Sequence, residues 1–403
     1  MANGFWRPEL LAVARAIGLT FGYSPLAFHL VAIALDAIAA ALAGVFASTI
    51  WPDKKFLPLV VAILVCMNVA PWECGAVYQN VGDPMLAITL LLTLLVWQKS
   101  LQQRRVLVQT VVWITILAFL AIAAKETGVI LGPSLLLWTL LAAGARRGHI
   151  ILAGTISLAD ALYAAFSFWI LHNTQHSYSS GLDLNPLHLF RQTADYCVST
   201  IIPYLHVMEA PWRPLLVPNG ILWVLRFLTI AIIGVTAVVA ARLRRPVVPA
   251  LVGLALLPLL PVALLSGPPS GRYLYVSIIF VSLLVGRLAC EKRWWYLTAV
   301  FTGLQIWMVL GFYFSPTMIT HRTISTNVSR LVSSMRAHQR EWPKGSVISI
   351  LDHPHPGPDP WRWVYAQHLV AIFLPDSDVA ISLGPDQTAY KTYRFSNGAL
   401  VEQ

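Results

Sequence analysis

Lys125 and Glu126 stand side by side between two apolar runs, Val106–Ala124 and Thr127–Ala143. An ionisable group beside a bilayer core costs several kcal/mol unless it is paired or faces water. The dipeptide is therefore expected where an apolar domain meets water or a ligand; the plain alternative is a polar turn between two helices. The stretch Pro71–Asp83 adds two carboxylates, Glu73 and Asp83, which can take a proton from a hydroxyl or hold a sugar or a metal; otherwise it is a solvated loop. Gly267-Pro-Pro-Ser-Gly-Arg-Tyr-Leu-Tyr275 is a stiff turn that delivers Arg272 to the first turn of a helix. A guanidinium offers a planar fork of donors suited to phosphate, and a helix N-terminus favours an anion. The plainer role for Arg272 is to reach lipid headgroups. Arg7, in Phe5-Trp-Arg-Pro8, is a second phosphate candidate or an interfacial anchor.

The elements that must position these residues follow from composition. Of 403 residues 57% are hydrophobic and only 11% charged, against about 25% charged in soluble domains. This excludes an ordinary soluble globule and predicts an all-α polytopic membrane protein. The formal net charge of +10 would suit nucleic acid, but the cations are dispersed through short loops rather than gathered on one face. No nucleic-acid partner is expected; topology and anionic lipid headgroups account for the charge. A bilayer core takes roughly 20 apolar residues per helix, which predicts about ten transmembrane helices. They are Leu26–Ile50, Phe56–Ala70, Pro84–Trp97, Val106–Ala124, Thr127–Ala143, Ile150–Leu171, Ile221–Ala240, Val247–Leu265, Tyr273–Leu288 and Trp294–Phe314. Ahead of them, residues 1–25 read as an amphipathic segment lying in the interface, without the uninterrupted core of a cleavable signal.

Lys54 and Lys55, then Lys99, Arg104 and Arg105, then Arg146 and Arg147, then Arg242, Arg244 and Arg245, then Arg287, Lys292 and Arg293 fall in alternate loops. The positive-inside rule makes those loops cytoplasmic. All the candidate residues above then share the outer face, and a bacterial inner membrane is the expected location. His172–Gly220 is also outer and is expected to hold an amphipathic helix resting on the bilayer through Leu187, Phe190, Tyr196, Cys197, Ile201 and Ile202. Residues 26–314 form the transmembrane domain and 315–403 a small extracytoplasmic α/β cap. In the cap Ile324, Val328, Leu331 and Met335 recur at helical spacing, Ser346–Leu351 and Val379–Leu383 read as strands, and Asn397-Gly398 signals a hairpin.

The four cysteines lack metal-ligand spacing, although Cys74 and Cys197 share the outer side, which leaves a disulfide open. His172 with His176 and His353 with His355 lack completing ligands, so no metal site is expected. No cofactor is expected beyond an unidentified divalent cation. Asn327-Val-Ser329 is a formal glycosylation acceptor.

Carboxylates and cations at the ends of apolar helices suit a lipid-linked anionic substrate whose tail lies in the bilayer and whose phosphate stands at the interface. Gly22-Tyr-Ser-Pro-Leu-Ala-Phe-His29, Pro71-Trp-Glu73 with Asp83, Ala124-Lys-Glu126 followed by Pro133, and Gly271-Arg-Tyr-Leu-Tyr275 resemble, in order and spacing, the GT-C membrane glycosyltransferases. That class includes the protein O-mannosyltransferases and envelope glycosyltransferases. The resemblance implies a polyprenyl-phosphate sugar donor, a glycan, lipid or protein acceptor, and transfer on the outer face. It implies donor-phosphate binding by Arg272, Lys125 and Arg7, with Glu126 fixing Lys125 and Tyr273 and Tyr275 supporting. Glu73 and Asp83 become the catalytic carboxylates. The family's first helix and its acidic outer loop precede the helix that here begins near Leu26, and the resemblance implies that both are missing. The chain is thus expected to be a partial gene product or a degenerate relative.

The alternative expectation is a non-catalytic remnant of that fold acting as a membrane scaffold. A lipid-linked glycan transporter is a weaker rival. It would use Asp36 and Asp160, mid-helix carboxylates, but no internal repeat is visible.

Overall fold

The computed structural model describes residues 8–21, 25–68, 70, 81–141, 147–173, 183, 185–201, 224, 227, 231, 247–264, 271–290, 295–313, 330–331, 333–351, 379–383, 386–396 and 399–403. The chain divides into two compact units, Met1–Phe312 and Tyr313–Gln403.

The first unit is helical. Among the described residues its helices are α1 (Pro8–Phe21), α2 (Pro25–Ile50), α3 (Leu57–Cys66), α4 (Gly82–Gln102), α5 (Val108–Ala124), α6 (Leu131–Leu141), α7 (Arg147–Asn173), α8 (Pro186–Ile201), α9 (Val247–Leu256), α10 (Leu259–Ala263), α11 (Tyr275–Ala289) and α12 (Trp295–Tyr313). Sequence explains where they stop. Pro52 follows α2, and Pro58 sits in the first turn of α3, where a missing N–H costs nothing. Asn185 caps α8 by accepting the Leu187 N–H at 2.9 Å.

Alanines on one stripe of α2, among them Ala39, Ala40, Ala43 and Ala47, are buried and let α3 and α4 approach closely. Phe46 of α2 packs on Trp138 of α6, with ring centroids 5.3 Å apart. The exterior is apolar as well: on α7 Ile151, Leu158, Leu162, Phe166 and Trp169 are exposed while Asp160 is buried. That inversion is the reverse of a soluble helix, which hides its apolar stripe.

Among the described residues three helices, Leu26–Ile50, Gly82–Gln102 and Arg147–Ser167, are long and apolar enough to cross a membrane. Other expected spans are shorter or broken. Val247–Leu265 divides into α9 and α10, because Pro258 lacks an N–H and its ring blocks continuation. Thr127–Ala143 contains a 3-10 turn, Glu126–Ile130, before α6. Of the expected Ile221–Ala240 span, only residues 224, 227 and 231 are described, all helical. The α8 helix was expected to rest on the bilayer through Leu187, Phe190, Tyr196, Cys197, Ile201 and Ile202. Leu187 and Phe190 are exposed, as that requires, but Tyr196 and Cys197 are buried against the protein. Cys197 is a free thiol, and Cys74, its candidate disulfide partner, lies outside the described residues.

The second unit carries a four-stranded sheet of order β2-β1-β3-β4, with β1 (Val347–Leu351), β2 (Ala380–Leu383), β3 (Lys391–Ser396) and β4 (Ala399–Glu402). β1 pairs in parallel with β2 and β3, and β3 pairs antiparallel with β4 in a register that closes Ser396 on Ala399. The expected hairpin is therefore present, although Asn397 and Gly398 themselves lie outside the described residues. Leu331, Met335 and Trp342 pack with Ile348, Ile350 and Tyr393 as its core. Trp342 donates its indole N–H to the Tyr393 hydroxyl at 3.1 Å. Asn327, His353 and His355 lie outside the described residues.

Candidate functional site

Lys125 lies where α5 ends. Its backbone turns to an extended conformation, with φ −158° and ψ 145°, and so breaks the helix. Its carbonyl then accepts the Gly128 N–H at 2.8 Å, starting the 3-10 turn. Gly128 is required there, because a Cβ would collide with the Ala121 carbonyl. The turn runs into α6 at Leu131, and Gly132 donates its N–H to a carboxylate oxygen of Asp160 at 2.7 Å.

This geometry points the lysine inward. Its side chain is only 6% exposed, and Nζ forms an ion pair with Asp83, whose side chain is equally buried. Asp83 sits in the first turn of α4. The partner of Lys125 is thus drawn from another helix, and Glu126, expected to fix it, instead opens the 3-10 turn. Of the dipeptide expected to face water or a ligand, Lys125 is buried and Glu126 is half-buried. Nζ also lies 4.9 Å from the centre of the Tyr273 ring, within cation–π reach.

Tyr273 belongs to a second 3-10 turn, Gly271–Leu274, that leads into α11. Tyr275, the first residue of α11, is buried and donates its hydroxyl to Asp36 of α2 at 2.7 Å. The backbone of Arg272 lies in the same turn as Tyr273, whereas its side chain, together with Arg7 and Glu73, lies outside the described residues. Of the sequence candidates, the structure brings Asp83, Lys125, Tyr273 and Tyr275 together, and adds Asp36 through Tyr275.

Two neighbouring helices complete the setting. Val13 of α1 and Leu35 of α2 pack on a small cluster of Ala32, Val81, Met85 and Ala124, which places α1 over the residues preceding Asp83 and Lys125. One turn before Val13, Glu9 is half-buried; its Oε2 has no hydrogen-bond partner among the described residues, and burial pushes its carboxyl above the ordinary range. On the other side α8 packs against the Gly271–Leu274 turn. It buries Asp195, with Arg191 one turn earlier at 4.0 Å.

Toward the opposite end of α4, about 25 Å away by helix rise, a different polar set ties the loops. Ser100 contacts Nε2 of His149 at 3.1 Å and donates to the Arg105 carbonyl at 3.0 Å. Trp97 donates to Thr139 at 2.9 Å.

His149 was not assigned a role from sequence, and Asp36 was singled out only as a carboxylate for the weaker transporter reading. A lone carboxylate inside the otherwise apolar Leu26–Ile50 run was the available signal for Asp36; a single histidine after two arginines gave none. No cluster of three or more metal-binding side chains occurs among the described residues. What the arrangement can do chemically is hold a negative group beside Lys125, in competition with Asp83, under an aromatic ring. No protein-family model, curated protein or solved structure matches the chain.

Proposed function

We propose that the chain is a multi-pass membrane glycosyltransferase that takes a sugar from a polyprenyl-phosphate carrier and passes it to an envelope or secreted acceptor. The observation that carries the reading is the meeting of Asp83, Lys125 and Tyr273 from three helix ends, with Asp36 and Tyr275 beside them. The long apolar helices and their apolar exterior supply the membrane. The cationic loops lie at the other ends of α4 and α5, and the positive-inside rule then supports an extracytoplasmic position for this cluster.

In the proposed reaction an acceptor hydroxyl attacks the anomeric carbon and the bond from that carbon to the phosphate oxygen breaks. A carboxylate, Glu73 or Asp83, takes the hydroxyl proton. Lys125 and Arg272, with Arg7, bear the charge left on the polyprenyl phosphate. Asp83 releases Lys125 to the phosphate as the donor enters, and is thereby freed to act as base.

One observation favours a second reading, a non-catalytic membrane scaffold: Lys125 is already neutralised by a buried partner. The deciding experiment is sugar release from a panel of radiolabelled polyprenyl-phosphate sugars by the purified protein, beside Arg272→Ala and Lys125→Met. Turnover that both substitutions abolish supports the enzyme. Donor binding without turnover supports the scaffold, and unchanged donor binding in Arg272→Ala removes that residue from the site.

A further inference from the structure

Asp160 lies in the middle of α7, a helix that exposes Ile151, Leu158, Leu162, Phe166 and Trp169, yet it is only 3% exposed. Its carboxylate accepts the Gly132 N–H at 2.7 Å. That N–H sits where the 3-10 turn Glu126–Ile130 gives way to α6. At such a junction the hydrogen-bond step changes from three residues to four, leaving donors at the new helix start without a partner in their own helix. Asp160 supplies the missing acceptor from a neighbouring helix.

Contact between the two helices is tight at this point. A Cβ on Gly132 would stand 2.5 Å from the Ser157 nitrogen and 2.6 Å from its Cα, so backbone meets backbone. Seven residues earlier, Lys125 leaves α5 and reaches Asp83 and Tyr273. The segment between is short and closed, with Gly128 folded back on Ala121 at one end and Gly132 held by Asp160 at the other. Movement at Gly132 therefore moves Lys125.

We infer that Asp160 is a positioning residue for Lys125: its bond to Gly132 sets the 3-10 turn and so fixes the ammonium between Asp83 and Tyr273. This assigns the mid-helix carboxylate to the site rather than to a transport path. Its importance for donor binding rests on the function proposed above, but its action on the turn does not.

The test uses the full chain in lipid nanodiscs and three substitutions. Asp160→Asn keeps an acceptor of the same shape. Asp160→Ser is too short to reach Gly132 and satisfies its hydroxyl within its own helix, and Asp160→Leu removes the polar group entirely. Two quantities are read: amide hydrogen exchange in peptides covering residues 121–135 against those covering α11, and binding of undecaprenyl phosphate. Exchange over 121–135 is expected to rise at least tenfold in Asp160→Ser and Asp160→Leu, with α11 unchanged and Asp160→Asn within about twofold of the parent protein. Lipid binding should weaken at least tenfold in the same two variants and recover in Asp160→Asn. Unchanged exchange in either deletion variant, an equal rise in α11, or an Asn variant as exchangeable as the Ser variant would overturn the inference. Absence of lipid binding by the parent protein counts against the proposed function alone, since the exchange arm still decides the role of Asp160.

Discussion

Tyr275 and Asp36, 239 positions apart in the chain, meet in a 2.7 Å hydrogen bond from hydroxyl to carboxylate. The bond joins the first turn of α11 to the middle of α2, and Tyr273, two residues before Tyr275, lies against Lys125. A contact in one layer of helices thereby fixes a ring in the next. Each link is a charged or polar group in an apolar surround, where an unmade bond costs more than a made one gains.

Removing one partner should therefore hurt more than removing both. Tyr275→Phe leaves the Asp36 carboxylate short of a donor and is expected to lower stability by about 1–3 kcal/mol. Asp36→Leu combined with Tyr275→Phe should recover part of that loss, because nothing polar then remains unpaired. Denaturant unfolding in detergent, followed by tryptophan fluorescence, measures both. A Tyr275→Phe protein as stable as the parent would show that the bond does not hold α2 to α11.

The Lys125–Asp83 pair obeys the same logic at larger scale. Breaking a buried ion pair from one side typically costs about 3–5 kcal/mol, whereas replacing both members by apolar residues is often neutral or stabilising. Lys125→Met and Asp83→Leu should each unfold more readily than the parent, and the double variant less readily than either. Additive losses in this cycle would mean that the two residues act separately.

Sequence disclosed much of this and missed the rest for identifiable reasons. Lys125 stood out because it interrupts an apolar run and Asp83 because it is a carboxylate at the start of one, and the length of the apolar runs located α2, α4 and α5. Their pairing was not readable, since nothing local says that Lys125 reaches 42 positions back rather than one forward. The inward face of α8 was misassigned because an amphipathic helix has the same pattern whether its apolar stripe meets lipid or protein. In the second unit the short β-branched apolar run Val347–Leu351 and the Asn397-Gly398 pair act over short range, so both the strand and the hairpin were legible. The joint between α9 and α10 was also local, written in Pro258, but it was hidden within a continuous apolar stretch.

Cys197 gives a pH test outside the long apolar helices. Burial pushes its thiol up to about 12, while an unfolded cysteine titrates at about 8.5. Between those values the unfolded chain gives up the proton and the folded chain keeps it. Stability contributed by this group is complete below pH 8.5 or so and falls as pH rises through the window. Denaturant midpoints should accordingly drop more steeply between pH 8 and about 10 in the parent than in Cys197→Ala. The same burial should leave Cys197 unlabelled by N-ethylmaleimide until the protein is unfolded. Parallel pH profiles for the two proteins, or rapid labelling of the native thiol, would show that α8 does not bury it.

Two glycines on facing helices separate packing from propensity. A Cβ on Gly132 would meet the backbone of Ser157 at 2.5 Å, and backbone cannot rotate out of the way as a side chain can; Gly154 of α7 has nothing within 4 Å. Gly132→Ala should therefore force α6 away from α7, at a cost of about 1–3 kcal/mol or more. Gly154→Ala adds a methyl group to open space within a helix, where alanine is favoured by up to about 1 kcal/mol. The two substitutions should move the unfolding midpoint in opposite directions, although the chemical change is identical. Because Gly132 also carries the N–H held by Asp160, its alanine variant should raise exchange across residues 121–135, while the Gly154 variant leaves that segment at the parent rate. Equal behaviour of the two variants would mean that α6 and α7 do not meet at Ser157, and the fixed path from Asp160 to Lys125 would lose its foundation.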